Sequence, residues 1–459
     1  TNVSESQFLC KLKKKKIFHN LFYLIIFFMI IFNGGNNNLY IQINFILISS
    51  FFLLLINEKN YLAHTIFLFE KNKLVFYTFI TFLFYLIFQI IPLPLELIKV
   101  LSPTKYQYLD SLGFDKFYSS ISLNPSNSFF GFLNIFSLFL FLIIFKSLFY
   151  KIKHILNFYY FIILMGAISA SIAIYFYLIG NPDLFIIKNS FYKNSATGFF
   201  INRTVFSCFL VLCFFCGTEY LRLFDKYNKN TTENFFKRIH VRIFILFITI
   251  GIITTFSRVG NFLLLSIITF YIFHVLIFKD NKNKSFFYTL MLIVVFDVLI
   301  LGFYFGAEKL VSRYSFLSNE LNEFFPNFPE NNISRGSLAL FSLQKIKEFS
   351  LFGYGLGGFE YLFKISYSDL SSLYANHAHS DLLEFIGELG LIGFLNLLSV
   401  FLMILIKNNF FYFKNLLLFY FLIILLIFDF SLHIPIIQFL LVILFSINID
   451  NNKKKLLNS

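Results

Sequence analysis

The sequence predicts an all-α polytopic membrane protein with about twelve transmembrane helices and a large helical periplasmic loop between spans nine and ten. Three observations carry that prediction. Of 459 residues, 58% are hydrophobic and only 14% charged, against about 45–50% and about 25% in ordinary soluble domains. The apolar residues are gathered into runs of roughly 16–25 residues split by short polar punctuation, the length a bilayer requires of a helix. The surplus of Lys and Arg, a net charge of +14, returns in alternate loops. A mean hydropathy of +0.74 excludes a water-soluble enzyme, a disordered chain and a disulfide scaffold. The 73 Phe and the lack of Trp follow AT-rich codon drift, so aromatic clusters say little about stacking sites.

The first span is 17–33. Lys11 and Lys13–Lys16 precede the apolar stretch Ile17–Phe32, which ends in Asn33-Gly34-Gly35-Asn36 with no small-residue cleavage site. It is therefore expected to be an uncleaved span. The others are expected at 39–56, 74–92, 128–149, 155–180, 199–220, 243–256, 261–278, 285–306, 381–406, 416–428 and 434–449. Basic short loops stay in the cytoplasm. With the leader inside, the alternate loops carry Lys59/Lys71/Lys73, Lys146/Lys151/Lys153, Arg222 to Arg242, Lys279/Lys282/Lys284, Lys407/Lys414 and the tail Lys453–Lys455. The short outer loops 34–38, 257–260 and 429–433 hold Arg258 alone. The organisation is thus 1–306 for spans one to nine, 307–380 for the large periplasmic loop, 381–449 for spans ten to twelve, and 450–459 for a basic cytoplasmic tail. Both termini are expected inside.

Two outer segments, 93–127 and 307–380, are too long for turns and are expected to carry structure of their own. The second holds Pro326 and Pro329, then a helix expected from about Ser334 to Phe349, then Gly353-Tyr354-Gly355-Leu356-Gly357-Gly358-Phe359. That run has no following Lys-Ser/Thr and no βαβ setting, so it is no nucleotide loop. It reads as a turn, and as a candidate anion-holding nest. Gly166 and Ala170, four apart in span five, suit close helix packing. Cys208, Cys213 and Cys216 in one apolar run read as small apolar filler. Asp297, in the middle of span nine, would cost roughly 2.5–3.5 kcal/mol to insert and should face the bundle or a water-filled cavity.

Polar residues gather on the outer side. Arg203 lies near the outer end of span six, and Arg258 is read as capping the outer end of span seven. Arg335 is in the large loop, His377 and His379 stand where that loop enters span ten, and Asp429 and His433 occupy the last outer turn. A lone interfacial Arg ordinarily snorkels to lipid phosphate. Several Arg and His on one face, against the gradient that draws Arg inward, point instead to an anion site. Guanidinium binds phosphate through planar, bidentate, charge-assisted bonds. After His377-Ala378-His379, a helix would put Asp381, Glu384 and Glu388 on one face. Gly387, Gly390 and Gly393 would let another helix or a lipid chain approach. A His at such a mouth suits general-base work. As a zinc pair, His-x-His lacks a Cys or carboxylate at ligand spacing, and no Asp-x-Asp pair marks an outer segment. No metal and no cofactor are expected, and no nucleic-acid partner.

These residues together resemble the O-antigen ligase family of polytopic glycosyltransferases, which includes related O-antigen polymerases. The core resemblance runs from Ser334 to Gly393: an Arg-initiated helix, the Gly353–Phe359 turn, then His379 to Gly393. Weaker echoes are Gly198 to Arg203, Ser257 to Gly260 and Asp429 to Pro435. The resemblance implies a metal-independent transferase in the bacterial inner membrane. Its donor would be a glycan on undecaprenyl pyrophosphate, and its acceptor a lipid A–core hydroxyl at the periplasmic face. By resemblance, His379 is the base, Arg203 and Arg258 are the pyrophosphate-binding pair, and Arg335 opens the core block; His377 and Glu388 are candidates for orienting the base. Ser380 and Thr204 stand where the family often has Asn, which bears on acceptor-side hydrogen bonds. A polymerase, a protein O-oligosaccharyltransferase and, in another class, a polysaccharide flippase or transporter are the alternatives. The flippase is disfavoured by the absence of an evident repeat and by polar residues at the rim rather than at mid-depth.

Overall fold

A computed structural model describes residues 2–111, 113, 117–183, 192–227, 232–277, 288, 291–292, 335–366 and 375–447. Most of predicted span nine, Asp297 included, and the loop as far as Ser334 with Pro326 and Pro329, lie outside the described residues. The chain forms two compact units, one of Thr1–Leu68, Leu140–Leu310 and Ile434–Ser459, the other of Phe69–Phe139 and Val311–His433.

The first unit contains α1 (Asn2–Ile31), α2 (Asn38–Ile56), most of α3 (Lys59–Lys71) and the C-terminal part of α7 (Pro125–Leu148). It also contains α8 (Ile152–Leu178), α9 (Arg203–Tyr227), α10 (Thr232–Thr254), α11 (Arg258–Ile277) and α16 (Pro435–Ser446). Helix α9 is its axis: from Arg203 to Phe224 it is sheathed by protein, packed on α8, α10, α11 and α16. Between Val205 and Gly217 its sequence is apolar or small on all sides, as suits a helix surrounded by other helices, and the Glu219–Arg222 ion pair follows. Small residues set the spacing. A Cβ on Gly166 would stand 2.6 Å from Cβ of Cys213, and one on Gly251 would stand 2.7 Å from Cβ of Ala170. The Gly166/Ala170 pair thus packs helices as expected, and Cys208, Cys213 and Cys216 are buried thiols in that packing.

The second unit contains α4 (Lys73–Ile90), then β1 (Leu93–Pro94), α5 (Leu95–Leu101), α6 (Pro103–Ser111) and β2 (Tyr118–Ser119), then the start of α7. It continues with α12 (Arg335–Glu348), α13 (Phe359–Ser366), α14 (Asp381–Lys407) and α15 (Phe413–Phe428). The long segment 93–127 does carry structure: β1 and β2 pair antiparallel, Leu93 opposite Ser119. The expected helix after Ser334 is α12. Its Leu338 and Phe341 pack with Phe349, Tyr354 and the α13 residues Phe359, Leu362 and Phe363 in one buried cluster.

Among the described helices, α2, α4, α7, α8, α9, α11 and α14 are long and apolar enough to cross a membrane, while α15 and α16 are apolar but shorter. Predicted span seven is the C-terminal half of α10. Residues 57–73, the inner segment between predicted spans two and three, contain helix α3. Its apolar residues recur at helical spacing between charged ones, but its length falls short of a span.

Candidate active site

The second unit's site is built on a break in α14. Gly390, at φ 63° and ψ −179°, interrupts the helix. There the amides of Leu391 and Ile392 turn away from their own helix and donate to the carbonyls of Ser350 (2.9 Å) and Leu351 (3.2 Å). In return, Tyr354 and Gly355 donate their amides to the carbonyls of Gly387 (3.1 Å) and Glu388 (3.0 Å). From α4, the Gln89 side-chain amide donates to the Glu388 carbonyl at 2.9 Å and the Tyr85 hydroxyl donates to the Leu389 carbonyl at 2.5 Å. Broken helix inside an apolar protein persists only when its freed backbone groups are satisfied this way. The glycines are what permit it: a side chain at Gly353 would run into the Glu388 carbonyl, and one at Gly387 would stand 2.7 Å from the Tyr354 ring.

This corrects the reading of 353–358 as an anion-holding nest. The amides of Gly353, Tyr354, Gly355 and Gly358 are all spent on backbone carbonyls.

N-terminal to the break, Asp381, Glu384 and Glu388 lie on one face of α14, with at most 1% of each exposed. The His377 ring donates from Nδ1 to Oε1 of Glu384 at 2.9 Å, and the Ala378 amide donates to Oε2 at 2.9 Å. The His433 ring donates from Nδ1 to Oδ1 of Asp381 at 2.5 Å, and the Leu432 amide donates to Oδ2 at 2.8 Å. The other His433 nitrogen, Nε2, points at Glu384 (3.5 Å) and Glu388 (3.6 Å). Burial alone would lower the His433 imidazole, but the Glu384 and Asp381 carboxylates outweigh it and hold it well above its ordinary value.

The two residues of His-x-His part company. The His377 ring stacks on Phe430 at 4.5 Å and 9°, whereas His379 meets the same ring at 5.2 Å in a T. His379 has φ +56°, a left-handed backbone uncommon outside glycine, and that twist separates the two imidazoles. The two imidazoles of His-x-His therefore do not act as an adjacent pair, and His377 stands beside His433 instead, ring centroids 5.4 Å apart. Arg335 is the first residue of α12. Burial raises the Asp429 carboxyl, opposed by the Ser431 hydroxyl, the Arg335 charge and the Phe430 and Ser431 amides. The Asp429 carbonyl accepts from the Asp381 amide at 2.9 Å, tying the last turn to the start of α14.

In the first unit, Arg203 and Arg258 each open a helix. Arg203 follows the cap residue Asn202, whose Oδ1 accepts from the Thr204 amide at 2.7 Å. Arg258 follows Ser257, whose hydroxyl accepts from Gly260 at 3.3 Å. Arg258 therefore starts α11 rather than ending the preceding span. The two first turns abut, because a Cβ on Gly260 would collide with the Ser207 side chain. The Arg203 guanidinium lies over the Tyr192 ring, 5.2 Å from its centroid. The loop carrying Tyr192 is pinned by Asn181, whose side-chain amide donates to the carbonyls of Tyr192, Lys193 and Ser195 at 3.3, 2.6 and 2.9 Å. Neighbouring helix starts that each carry a guanidinium gather donors and positive charge suited to an anion.

Sequence reasoning missed Asn181, Tyr192, Tyr85, Gln89 and Phe430. Asn202 carried a usable signal, being an Asn directly before the helix. The structure thus gathers His377, His379 and Glu388 with Asp381, Glu384 and His433 around Phe430 and the start of α14. It gathers Arg203 with Arg258 at the paired helix starts, and it sets Arg335 at the head of α12, with its charge felt at Asp429.

A search of curated proteins found no match to the chain. Residues 243–398 match a family model described as O-antigen ligase. The matched stretch contains Arg258, Arg335, His377, His379 and Glu388, while Arg203 precedes it. It ends within α14, past the Gly390 break. The chain is thus similar to the O-antigen ligase family over residues 243–398, about a third of its length.

Proposed function

We propose that the chain is an O-antigen ligase-type glycosyltransferase of the bacterial inner membrane. It takes a glycan from undecaprenyl pyrophosphate and passes it to a lipid A–core hydroxyl on the periplasmic side. The observation that carries the reading is the pair of abutting helix starts headed by Arg203 and Arg258, in a chain whose residues 243–398 are similar to the O-antigen ligase family. Pyrophosphate is a competent leaving group, and guanidinium groups neutralise the charge that develops on it as the glycosidic bond breaks. Guanidinium stays protonated when partly desolvated. Arg335, at the head of α12, adds a third cation to the set.

In this reading His379 accepts the proton of the acceptor hydroxyl as that oxygen attacks the anomeric carbon. The new carbon–oxygen bond replaces the bond to phosphate, and undecaprenyl pyrophosphate departs. The left-handed backbone at His379 supports a site-specific role, since strained backbone persists where the surroundings over-determine it. His377 and Glu388 act as positioning residues through the buried network beside it. Acceptor choice belongs to the outer segments.

Deleting the gene and complementing it with wild type, Arg203→Ala, Arg258→Ala or His379→Ala tests the reading. Expected for the deletion and each variant is long glycan stranded on the lipid carrier together with rough lipopolysaccharide. Accumulation of single repeat units would make the chain a polymerase. Loss of all glycan from the periplasmic side would make it a flippase, and an unglycosylated periplasmic protein would make it a protein O-oligosaccharyltransferase.

A further inference from the structure

The carboxylates at the start of α14 outnumber the cations that face them. Asp381, Glu384 and Glu388 are all buried. Among the described residues the cationic groups acting on these three are the imidazoles of His377 and His433. Neither carboxylate oxygen of Glu388 has a donor within 3.5 Å among the described residues; its side chain is fully enclosed and faces His433 Nε2 at 3.6 Å. An enclosed carboxylate in that position must take a proton or be joined by a cation.

The geometry supplies a place for one. Ligand atoms of His377, Glu384 and His433 all lie within 4.8 Å of one another. A tetrahedral zinc ion with bonds of 2.0–2.2 Å holds its donor atoms about 3.3 Å apart. Here the separations are 2.9 Å from His377 Nδ1 to Glu384 Oε1, 3.5 Å from His433 Nε2 to the same oxygen, and 3.6 Å from His433 Nε2 to Glu388 Oε2. His433 is also oriented as metal-bound histidines are: its far nitrogen is held by a carboxylate, Asp381, and a backbone amide holds that carboxylate in turn. Two imidazoles with two carboxylates suit a divalent transition ion better than calcium or magnesium.

We propose that His377, Glu384, Glu388 and His433 bind a divalent transition-metal cation, with zinc the best match, and that it fixes the start of α14 to the 429–433 turn. The proposal stands independently of the transferase reading, because its readout is metal content rather than activity. The chain is purified in detergent with a histidine-free tag, stripped with EDTA, reloaded with zinc or cobalt and desalted. Metal is then counted by mass spectrometry, and cobalt coordination is read from its visible absorption. Expected are about one zinc per chain, a tetrahedral cobalt spectrum and a rise in thermal stability on reloading. Glu388→Gln and His433→Ala should each weaken zinc binding by at least about tenfold, in line with the loss of a ligand, while exposed Glu360→Gln leaves it unchanged. Should a variant fail to run as a single species, the stripping and reloading of wild type decides alone. Wild type that retains no stoichiometric zinc after loading would overturn the proposal, as would equal zinc retention by wild type, Glu388→Gln and His433→Ala.

Discussion

Replacing Gly390 by alanine should damage the second unit far more than an ordinary glycine substitution. Two costs combine. The φ of +63° with ψ −179° lies in a region essentially reserved for glycine, which costs an L-residue about 1–3 kcal/mol. The new Cβ also collides with the Gly353 amide nitrogen and the Leu351 carbonyl, both main-chain atoms that cannot rotate aside. Relief requires pulling the 350–355 segment off the helix break, where four backbone hydrogen bonds join them. At about 0.5–1.5 kcal/mol each, losing two adds about 1–3 kcal/mol, for a total of about 2–6 kcal/mol. Gly180→Ala is the control, since Gly180 has φ +84° with open space around it and suffers the backbone strain alone. Thermal unfolding in detergent, followed by size-exclusion recovery, compares the two. At about 2–4 °C per kcal/mol for a unit of this size, Gly390→Ala should fall on the order of 10 °C while Gly180→Ala falls by a few degrees. Equal falls for both variants would refute the idea that the helix break is locked by the 350–355 segment.

Three further outcomes are expected. The buried Glu219 carboxylate accepts from Arg222 (2.6 Å) and from the Tyr271 hydroxyl (2.8 Å); Tyr271→Phe should cost about 1.5–3 kcal/mol and Arg222→Leu about 3–5 kcal/mol. The double variant Glu219→Leu/Arg222→Leu should recover much of that loss, as read by thermal unfolding. Asn202→Ala removes a helix cap and should lower stability by about 0.5–2 kcal/mol in the same measurement. Lys105 is buried against the carbonyls of Ser120 and Ser122, and burial pushes its ammonium down to about 8. Between that value and its ordinary 10.5 the unfolded chain holds more protons, so stability should rise with pH through that window. The difference in melting temperature between wild type and Lys105→Met, measured from pH 7.5 to 10.5, should carry that slope; a flat difference would remove Lys105 from the pH response.

Much of the architecture was legible because a bilayer imposes length and apolarity on every span. The start of α12 showed in its cap-like Ser-Arg-Gly-Ser, and the carboxylate face of α14 followed from three- and four-residue spacing. The break at Gly390 did not show. A glycine every third residue reads equally well as a smooth packing face, and only the amides of 354–355, more than thirty residues upstream, decide between the two. His433 could be placed on the outer turn but not opposite Asp381, since its partner lies 52 residues away and local spacing carries no such pairing. Arg258 was assigned to the wrong helix because the turn before it is tight, with Phe256 at φ +49°, and hydropathy cannot locate a two-residue corner. The parting of His377 from His379 was illegible for a related reason: it depends on the left-handed backbone at His379, which no residue type announces.

The proposed reaction is transfer of a lipid-linked glycan with His379 as the base and Arg203 and Arg258 on the pyrophosphate. Its most direct test is reconstitution of the purified chain in nanodiscs with an undecaprenyl-pyrophosphate glycan and a lipid A–core acceptor, measuring glycosylated acceptor and released undecaprenyl pyrophosphate together. The two products are expected in equal amounts. His379→Ala should lower turnover at least about a hundredfold, consistent with loss of a general base, while leaving donor binding intact. Arg203→Ala and Arg258→Ala should weaken the donor's hold. A His379→Ala protein that folds normally and transfers glycan at the wild-type rate would contradict it.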